Sequence, residues 1–285
     1  MAKKRLFGTF GVRRTANDVL TPEFASRLAA SYGSLVQGTV AIGGDTRTST
    51  PMLKYAITAG LLSSGCDVVD LGILPTPGVQ YAVRKYYDGG VMITASHNPS
   101  QYNGIKLWNA NGMAYTPEQE KEIEDLYYSE EFGETRWDHI GSIVYNEEIK
   151  NQYINDLVNA VDIKPGFKVV IDCACGAGSE ISPIAFRKAG CNVITLNSQV
   201  DGFFPGRNPE PNAENLQNLM KTVVAIGAEL GIAHDGDADR MITVDENGGK
   251  LLHSTEIAGY VSCFGEDEKN IYIWFVDGCN VTCEL

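Results

Sequence analysis

The sequence predicts an α/β fold built from two related domains, and a repeated pattern carries that prediction. "TVAIGGDTRTST" reads as a β-branched strand running into a Gly-rich turn, "TPMLKYAITAGLLSSG" as a helix with Pro51 near its start, and "CDVVDLG" as a second strand. The same grammar returns in "KVVIDCACGAGS", "EISPIAFRKAG" and "CNVITLN". The two helix ends echo each other, Gly65-Cys66-Asp67-Val68-Val69 against Gly190-Cys191-Asn192-Val193-Ile194. Each glycine suits a left-handed helix stop before the chain turns into a sheet. A repeat on this scale points to two domains of one architecture, although unrelated α/β units also share this grammar. With 285 residues, 44% apolar and 21% charged, the chain is globular and long enough for two such cores.

The remaining elements follow in order. "MAKKRLFGTFGVRR" is basic, but its apolar stretch is short and broken by Thr9 and Arg13, so it reads as neither signal peptide nor anchor. "GGVMI" reads as an apolar run leaving a Gly-Gly turn and stopping at "TASHNP", residues 94–99. Ser96, His97 and Asn98 there suit either an ordinary turn or a nucleophile in its site. "TPEQEKEIEDLYYSEEFGE" is an acidic helix with Thr116 as cap and Pro117 at its first position. "NEEIKNQYINDLVNAV" is a further helix leading to the "KPG" turn at 164–166. These elements divide the chain into a first domain at 1–150, a second at 151–252, and at 253–285 the start of a third.

A net charge of −13 argues against nucleic acid or an anionic membrane as partner, while a few local cations suffice for a small phosphorylated substrate. Seven cysteines form no closely spaced framework, which favours a reducing, cytoplasmic setting. Cys173 and Cys175, like Cys279 and Cys283, suit a soft metal or simply buried strand positions.

"DGDADR" at 235–240 places Asp235, Asp237 and Asp239 within five residues. Hard oxygens at this density repel one another unless a cation such as Mg²⁺ or Ca²⁺ neutralises them. A helix–loop–helix calcium site is excluded twice over. Its sharp turn needs glycine where Arg240 stands, and the flanks "GIAH" and "MITVD" read as strands. A solvated turn between strands is the plain alternative. Arg240 favours a phosphate oxygen beside the metal.

"FGTFGVRR" at 7–14, "TASHNPSQYNGIK" at 94–106 and "DGDADR" at 235–240, in this order, resemble the α-D-phosphohexomutases. "LGILPTPGVQYAV" at 71–83 and "RNPEPNAENL" at 207–216 are similar to further family segments. The resemblance implies three-layer α/β domains with mixed sheets flanked by helices. It implies that Ser96 carries a phosphate, gives it to a hexose phosphate to form a hexose 1,6-bisphosphate, and recovers the other phosphate. That bisphosphate is both intermediate and activator. Mg²⁺ is then held by Asp235, Asp237, Asp239 and phosphorylated Ser96. Lys106 transfers the proton of the sugar hydroxyl, His97 lies beside the phosphoserine, and Arg13, Arg240 and Asn98 contact phosphate or substrate. Read without the resemblance, Lys106 is equally a surface lysine and His97 a turn residue.

The chain departs from the family pattern at Phe10, where a small hydroxyl residue is usual. The sugar-recognition motif G-E-x-S-G-H and the phosphate-binding motif R-x-S-G-T-E-P do not occur. The expectation is therefore an incomplete phosphoglucomutase/phosphomannomutase, with phosphoglucosamine mutase as the near alternative. A catalytically incompetent binding module is the alternative of another class. A third-domain strand at 271–276 left without sheet neighbours predicts self-association.

Overall fold

The computed structural model describes residues 5–8, 11–133, 135–163 and 165–249, together with the backbone of three strands beyond 260. Phe10 and Cys279 lie outside the described residues. The chain divides into two compact units, Met1–Ile149 and Lys150–Leu285. Among the described residues no helix is long and apolar enough to cross a membrane.

The first unit runs β1 (Val12–Thr15), α1 (Pro22–Val36), β2 (Thr39–Gly44), α2 (Thr50–Ser63), β3 (Asp67–Ile73), α3 (Thr76–Tyr86), β4 (Gly89–Ile93), β5 (Tyr102–Asn109), α4 (Pro117–Ser129) and β6 (Ile143–Tyr145). Its six strands form one mixed sheet in the order β1-β5-β4-β2-β3-β6. Strand alternation sends Val40, Ile42, Val91, Ile93, Ile105 and Leu107 into a core with Leu28, Tyr32, Leu53, Ile57 and Leu61 of α1 and α2. The opposite face meets α3, whose Val79 and Val83 lie against Gly43 and Gly90. The sheet is thus covered on both sides. Thr116 caps α4 in a reciprocal capping box with Gln119, and Pro117 is the first helical residue.

After α5 (Glu148–Asn159), which straddles the boundary, the second unit runs β7 (Lys168–Asp172), α6 (Ser182–Lys188), β8 (Asn192–Leu196), α7 (Gln217–Ile226), β9 (Leu230–His234) and β10 (Met241–Asp245). The sheet order is β10-β9-β7-β8, with β10 antiparallel and the rest parallel. Val169, Ile171 and Ile232 pack toward Phe186 of α6. Val170 and Ala233 pack toward Leu219 and Val223 of α7. This is again three layers.

The echo between the two helix ends is structural. Gly65 and Gly190 both have positive φ, 86° and 94°. Gly65 N–H donates to Leu62 and Cys66 N–H to Leu61, while Gly190 N–H donates to Arg187 and Cys191 N–H to Phe186. Both helices therefore close in the same paired i→i−3 and i→i−5 cap. Both lead into the outer of two parallel strands, β3 beside β2 and β8 beside β7.

Three readings of the sequence are corrected. Gly89 and Gly90 do not make a turn but open β4, and Gly43 and Gly44 end β2. The reason is crowding. A Cβ on Gly89 would collide with the Tyr32 hydroxyl, one on Gly90 with Val83, and one on Gly44 with Thr50. The Tyr32 hydroxyl accepts from Gly90 N–H at 2.8 Å and donates to the Trp108 carbonyl at 2.8 Å, which fixes it there. The third correction concerns Asn270–Phe275 (β12), which is not a bare edge. It pairs antiparallel with Val261–Glu266 (β11) on one side and Asn280–Glu284 (β13) on the other, so it is the central strand of three.

Gly90→Ala is expected to lower stability by about 1–3 kcal/mol through overpacking against Val83. Urea unfolding followed by circular dichroism measures it, and unchanged stability would contradict the crowding account.

Candidate active site: a serine loop and an acidic hairpin

Each unit places one candidate loop at the end of its parallel strands. In the first unit β4 and β5 are antiparallel neighbours, with Ile93 opposite Ile105, and "TASHNPSQ" is the connection between them. Ser96 sits in it at φ 53° and is only 1% exposed. A non-glycine residue there is strained by about 1–2 kcal/mol and persists only when its surroundings hold it. The surroundings do. Ser96 N–H donates to Thr94 Oγ1 at 2.8 Å, and the Thr94 hydroxyl in turn donates to Asp45 Oδ2 at 2.7 Å. The Ser96 carbonyl accepts from Arg47 Nη2 at 2.9 Å. Its hydroxyl stands 3.2 Å from His97 Nδ1.

Arg47 is the centre of this frame. Its Nε donates to Asp45 Oδ2 at 3.0 Å, and both side chains have zero exposure. Nη1 reaches the carbonyls of Pro99 (2.6 Å) and Tyr102 (2.9 Å), and Nη2 reaches Asn98 (2.7 Å) as well as Ser96. The planar fork of five donors is matched to four loop carbonyls and a carboxylate. Sequence reading missed Asp45, Arg47 and Thr94. The available signal was "DTR" immediately after a strand, where ionic residues enter the interior only when paired.

The other expected residues of this unit gather around the same strands. Lys106 lies on β5 opposite Met92 and is 4% exposed, with Nζ 3.4 Å from Thr76 Oγ1 at the start of α3. It is not a surface lysine. Arg13 lies on β1 opposite Gly104. A Cβ on Gly104 would stand 3.0 Å from Arg13 Cγ and 2.6 Å from the Thr94 carbonyl, so the glycine permits this close packing. His97 and Asn98 are half-buried. Asn98 enters the frame through its backbone, donating to the Ala95 carbonyl at 3.1 Å and accepting from Arg47.

In the second unit the acidic residues form a hairpin loop between β9 and β10, closed by His234 opposite Met241. The flanking elements are strands, which again excludes the helix-flanked calcium loop. Asp235 and Asp237 are fully buried and Asp239 half-buried, and one ligand oxygen from each lies within 4.8 Å of the others. At that spacing each carboxylate pair repels by at least about 3.5 kcal/mol for an effective dielectric of about 20. A hard divalent cation removes that repulsion, and the all-oxygen donor set fits one. Ala238 at φ 51° turns the loop, and Arg240 N–H donates to Asp235 Oδ1 at 3.3 Å. The Arg240 guanidinium lies 3.7 Å from Glu210, within the "RNPEPNAENL" segment.

Two contacts hold the hairpin on its unit. The Gly236 carbonyl accepts from Ala177 N–H at 2.9 Å, and a Cβ on Gly176 would collide with that carbonyl. Arg207, ion-paired with buried Asp172 at 2.9 Å, donates to the His234 carbonyl at 2.5 Å and to the carbonyls of Asn208 and Pro209. Sequence reading missed Asp172 and Arg207 too. Cys173 and Cys175 are buried free thiols, and burial pushes Cys173 up to about 12, which disfavours the thiolate a soft metal needs. Among the described residues the three aspartates are the group able to hold a metal.

The phosphoglucomutase/phosphomannomutase α/β/α domain I family profile matches residues 4–134, and the domain II profile matches 145–249. The chain is 66% identical over 251 residues to a protein of Methanobrevibacter smithii named probable phosphoglucosamine mutase, covering 87% of this chain and 56% of that one. It is 48% identical over 255 residues to the phosphoglucomutase/phosphomannomutase of Thermococcus kodakarensis, covering 86% and 56%. A crystal structure of a phosphoglucomutase/phosphomannomutase family protein from Burkholderia thailandensis superposes with a TM-score of 0.81 at 29% identity, covering 88% of this chain and 57% of that one. The chain thus spans little more than half the length of the curated relatives it matches.

Arg47→Lys is expected to cost about 3 kcal/mol, because an ammonium cannot reach four carbonyls and a carboxylate together. Urea unfolding reads the loss, and limited proteolysis should show cleavage within 94–102. A variant as stable and as resistant as the parent would contradict the frame described above.

Proposed function

The chain belongs to the α-D-phosphohexomutase family, and from that premise we propose that it carries the nucleophile and metal ligands of a mutase acting on hexose phosphates. The observation that carries the reading is Ser96, a buried serine held at positive φ with its hydroxyl on His97. Strained positions held by buried hydrogen bonds cluster at active sites and ligand clamps, which supports the reading.

In this reading phosphorylated Ser96 gives its phosphoryl group to a free hydroxyl of a hexose monophosphate. The P–O bond to serine breaks, a P–O bond to the sugar forms, Lys106 accepts the sugar hydroxyl proton, and the Ser96 Oγ released takes a proton from His97 beside it. The resulting 1,6-bisphosphate then returns its other phosphoryl group to Ser96, whose hydroxyl proton goes back to His97, while Lys106 gives its proton to the sugar oxygen released. The net result is transfer between the C1 and C6 oxygens. Such transfers depend on placement and on neutralising the equatorial oxygens. Arg13, His97, Asn98 and Arg240 are proposed to bind phosphate or sugar. Asp235, Asp237 and Asp239 would hold Mg²⁺, which supplies charge neutralisation to the transferred group.

A second reading within the class, a hexosamine phosphate as substrate, is favoured by the name of the 66% identical relative. Glucose and mannose phosphates are favoured by the names of the matching family profiles.

Incubation with glucose 1,6-bisphosphate and Mg²⁺ is expected to place one phosphate on the peptide carrying Ser96, and none there in Ser96→Ala, by peptide mass spectrometry. Phosphate confined to Ser49 or Ser179 would overturn the assignment. Adding glucose, mannose or glucosamine monophosphates to the phosphorylated chain then separates the substrate readings. The true acceptor strips Ser96 fastest.

A further inference from the structure

We propose that His234 is a positioning residue for the acidic hairpin, tying the start of α6 to the far end of the loop and so fixing the spacing of Asp235, Asp237 and Asp239. The inference rests on the metal-binding reading of those carboxylates.

His234 is the last residue of β9, and Arg240 is the last loop residue before β10. Its Nδ1 lies 3.3 Å from the Arg240 carbonyl and its Nε2 lies 2.9 Å from Ser182 Oγ. A carbonyl only accepts, so the ring hydrogen belongs on Nδ1, and the Ser182 hydroxyl donates to Nε2. One side chain thereby joins three segments: the end of a strand, the end of the loop, and the first residue of α6. Its own carbonyl is held by Arg207. The ring edge packs near Gly178, where a Cβ would lie 3.4 Å from Cδ2.

This cross-tie acts across the mouth of the loop. Within it, Arg240 N–H donates to Asp235 Oδ1. The ring thus holds the carbonyl of the residue whose N–H orients the first carboxylate. Hydrogen-bond partners that orient metal ligands typically change metal affinity by about 10–100-fold when removed.

The test is calorimetric Mg²⁺ titration of the full chain, with Mn²⁺ electron paramagnetic resonance as a second readout and thermal melts without metal as a folding check. His234→Phe keeps the bulk and loses both bonds, and is expected to weaken binding about tenfold or more. His234→Asn places an amide N–H where Nδ1 stands and should retain most of the affinity. His234→Gln reaches toward Ser182 instead and should resemble the Phe variant. A folded Phe variant with parental affinity overturns the proposal. If the Phe variant does not fold, the Asn and Gln pair decides, and equal affinities of the two overturn it. Failure of the parent chain to bind either ion speaks instead against the metal reading itself, before any variant is compared.

Discussion

The buried ion pair between Asp45 and Arg47 is the constraint on which the serine loop depends. Taking two charges out of water costs several kcal/mol for each ion, and the pair alone does not repay it. Here the guanidinium also meets the carbonyls of Ser96, Asn98, Pro99 and Tyr102, while Asp45 accepts from Thr94, Thr50 and Arg47 N–H. Hydrogen bonds to charged groups contribute about 1.5–3 kcal/mol each, enough together to offset the burial. The strain of about 1–2 kcal/mol at Ser96 is small beside that sum. The loop's conformation therefore follows from a guanidinium placed beneath it, three residues past the end of β2.

The second unit solves the same problem with other residues. Asp172, the last residue of β7, pairs with Arg207, which holds the carbonyls of His234, Asn208 and Pro209. Both β2 and β7 are interior strands, so each aspartate stands at the carboxyl end of its sheet's parallel core. That end of an open α/β sheet is where such folds place their ligands. The shared helix stops at Gly65 and Gly190 show that the scaffold is repeated. The arginines show that the loop frame is not a copy, since one comes from two residues downstream and the other from thirty-five.

This difference explains what was legible in the sequence. The repeat was legible because a glycine stop and a buried residue after it are local signals, as were the cap at Thr116 and the strands around "DGDADR". The two candidate loops stood out because hydroxyl, imidazole and carboxylate residues cluster in short strings there. The framework was not. Nothing local marks Arg47 as fully buried or joins Arg207 to Asp172, because both facts arise only when strands distant in sequence come together. The glycine pairs failed for the same reason. Gly89-Gly90 spells a turn to any local rule, and only the Tyr32 hydroxyl and Val83 pressing from elsewhere make them strand residues.

The balance of residues in the two loops fits the chemistry proposed for them. Phosphoryl transfer needs little covalent ingenuity from the protein and much from its geometry, since a misplaced nucleophile forfeits most of the advantage of being bound. The Ser96 hydroxyl stands 3.2 Å from His97 Nδ1, and the Ser96 backbone is fixed on both sides. The aspartates likewise sit in a loop whose ends, turn and flanking backbone are each tied by a named contact. In both units a buried Asp–Arg pair, outside the residues proposed to react, holds the loop in place. A fold that must hold an oxygen in line for transfer would be built in this way.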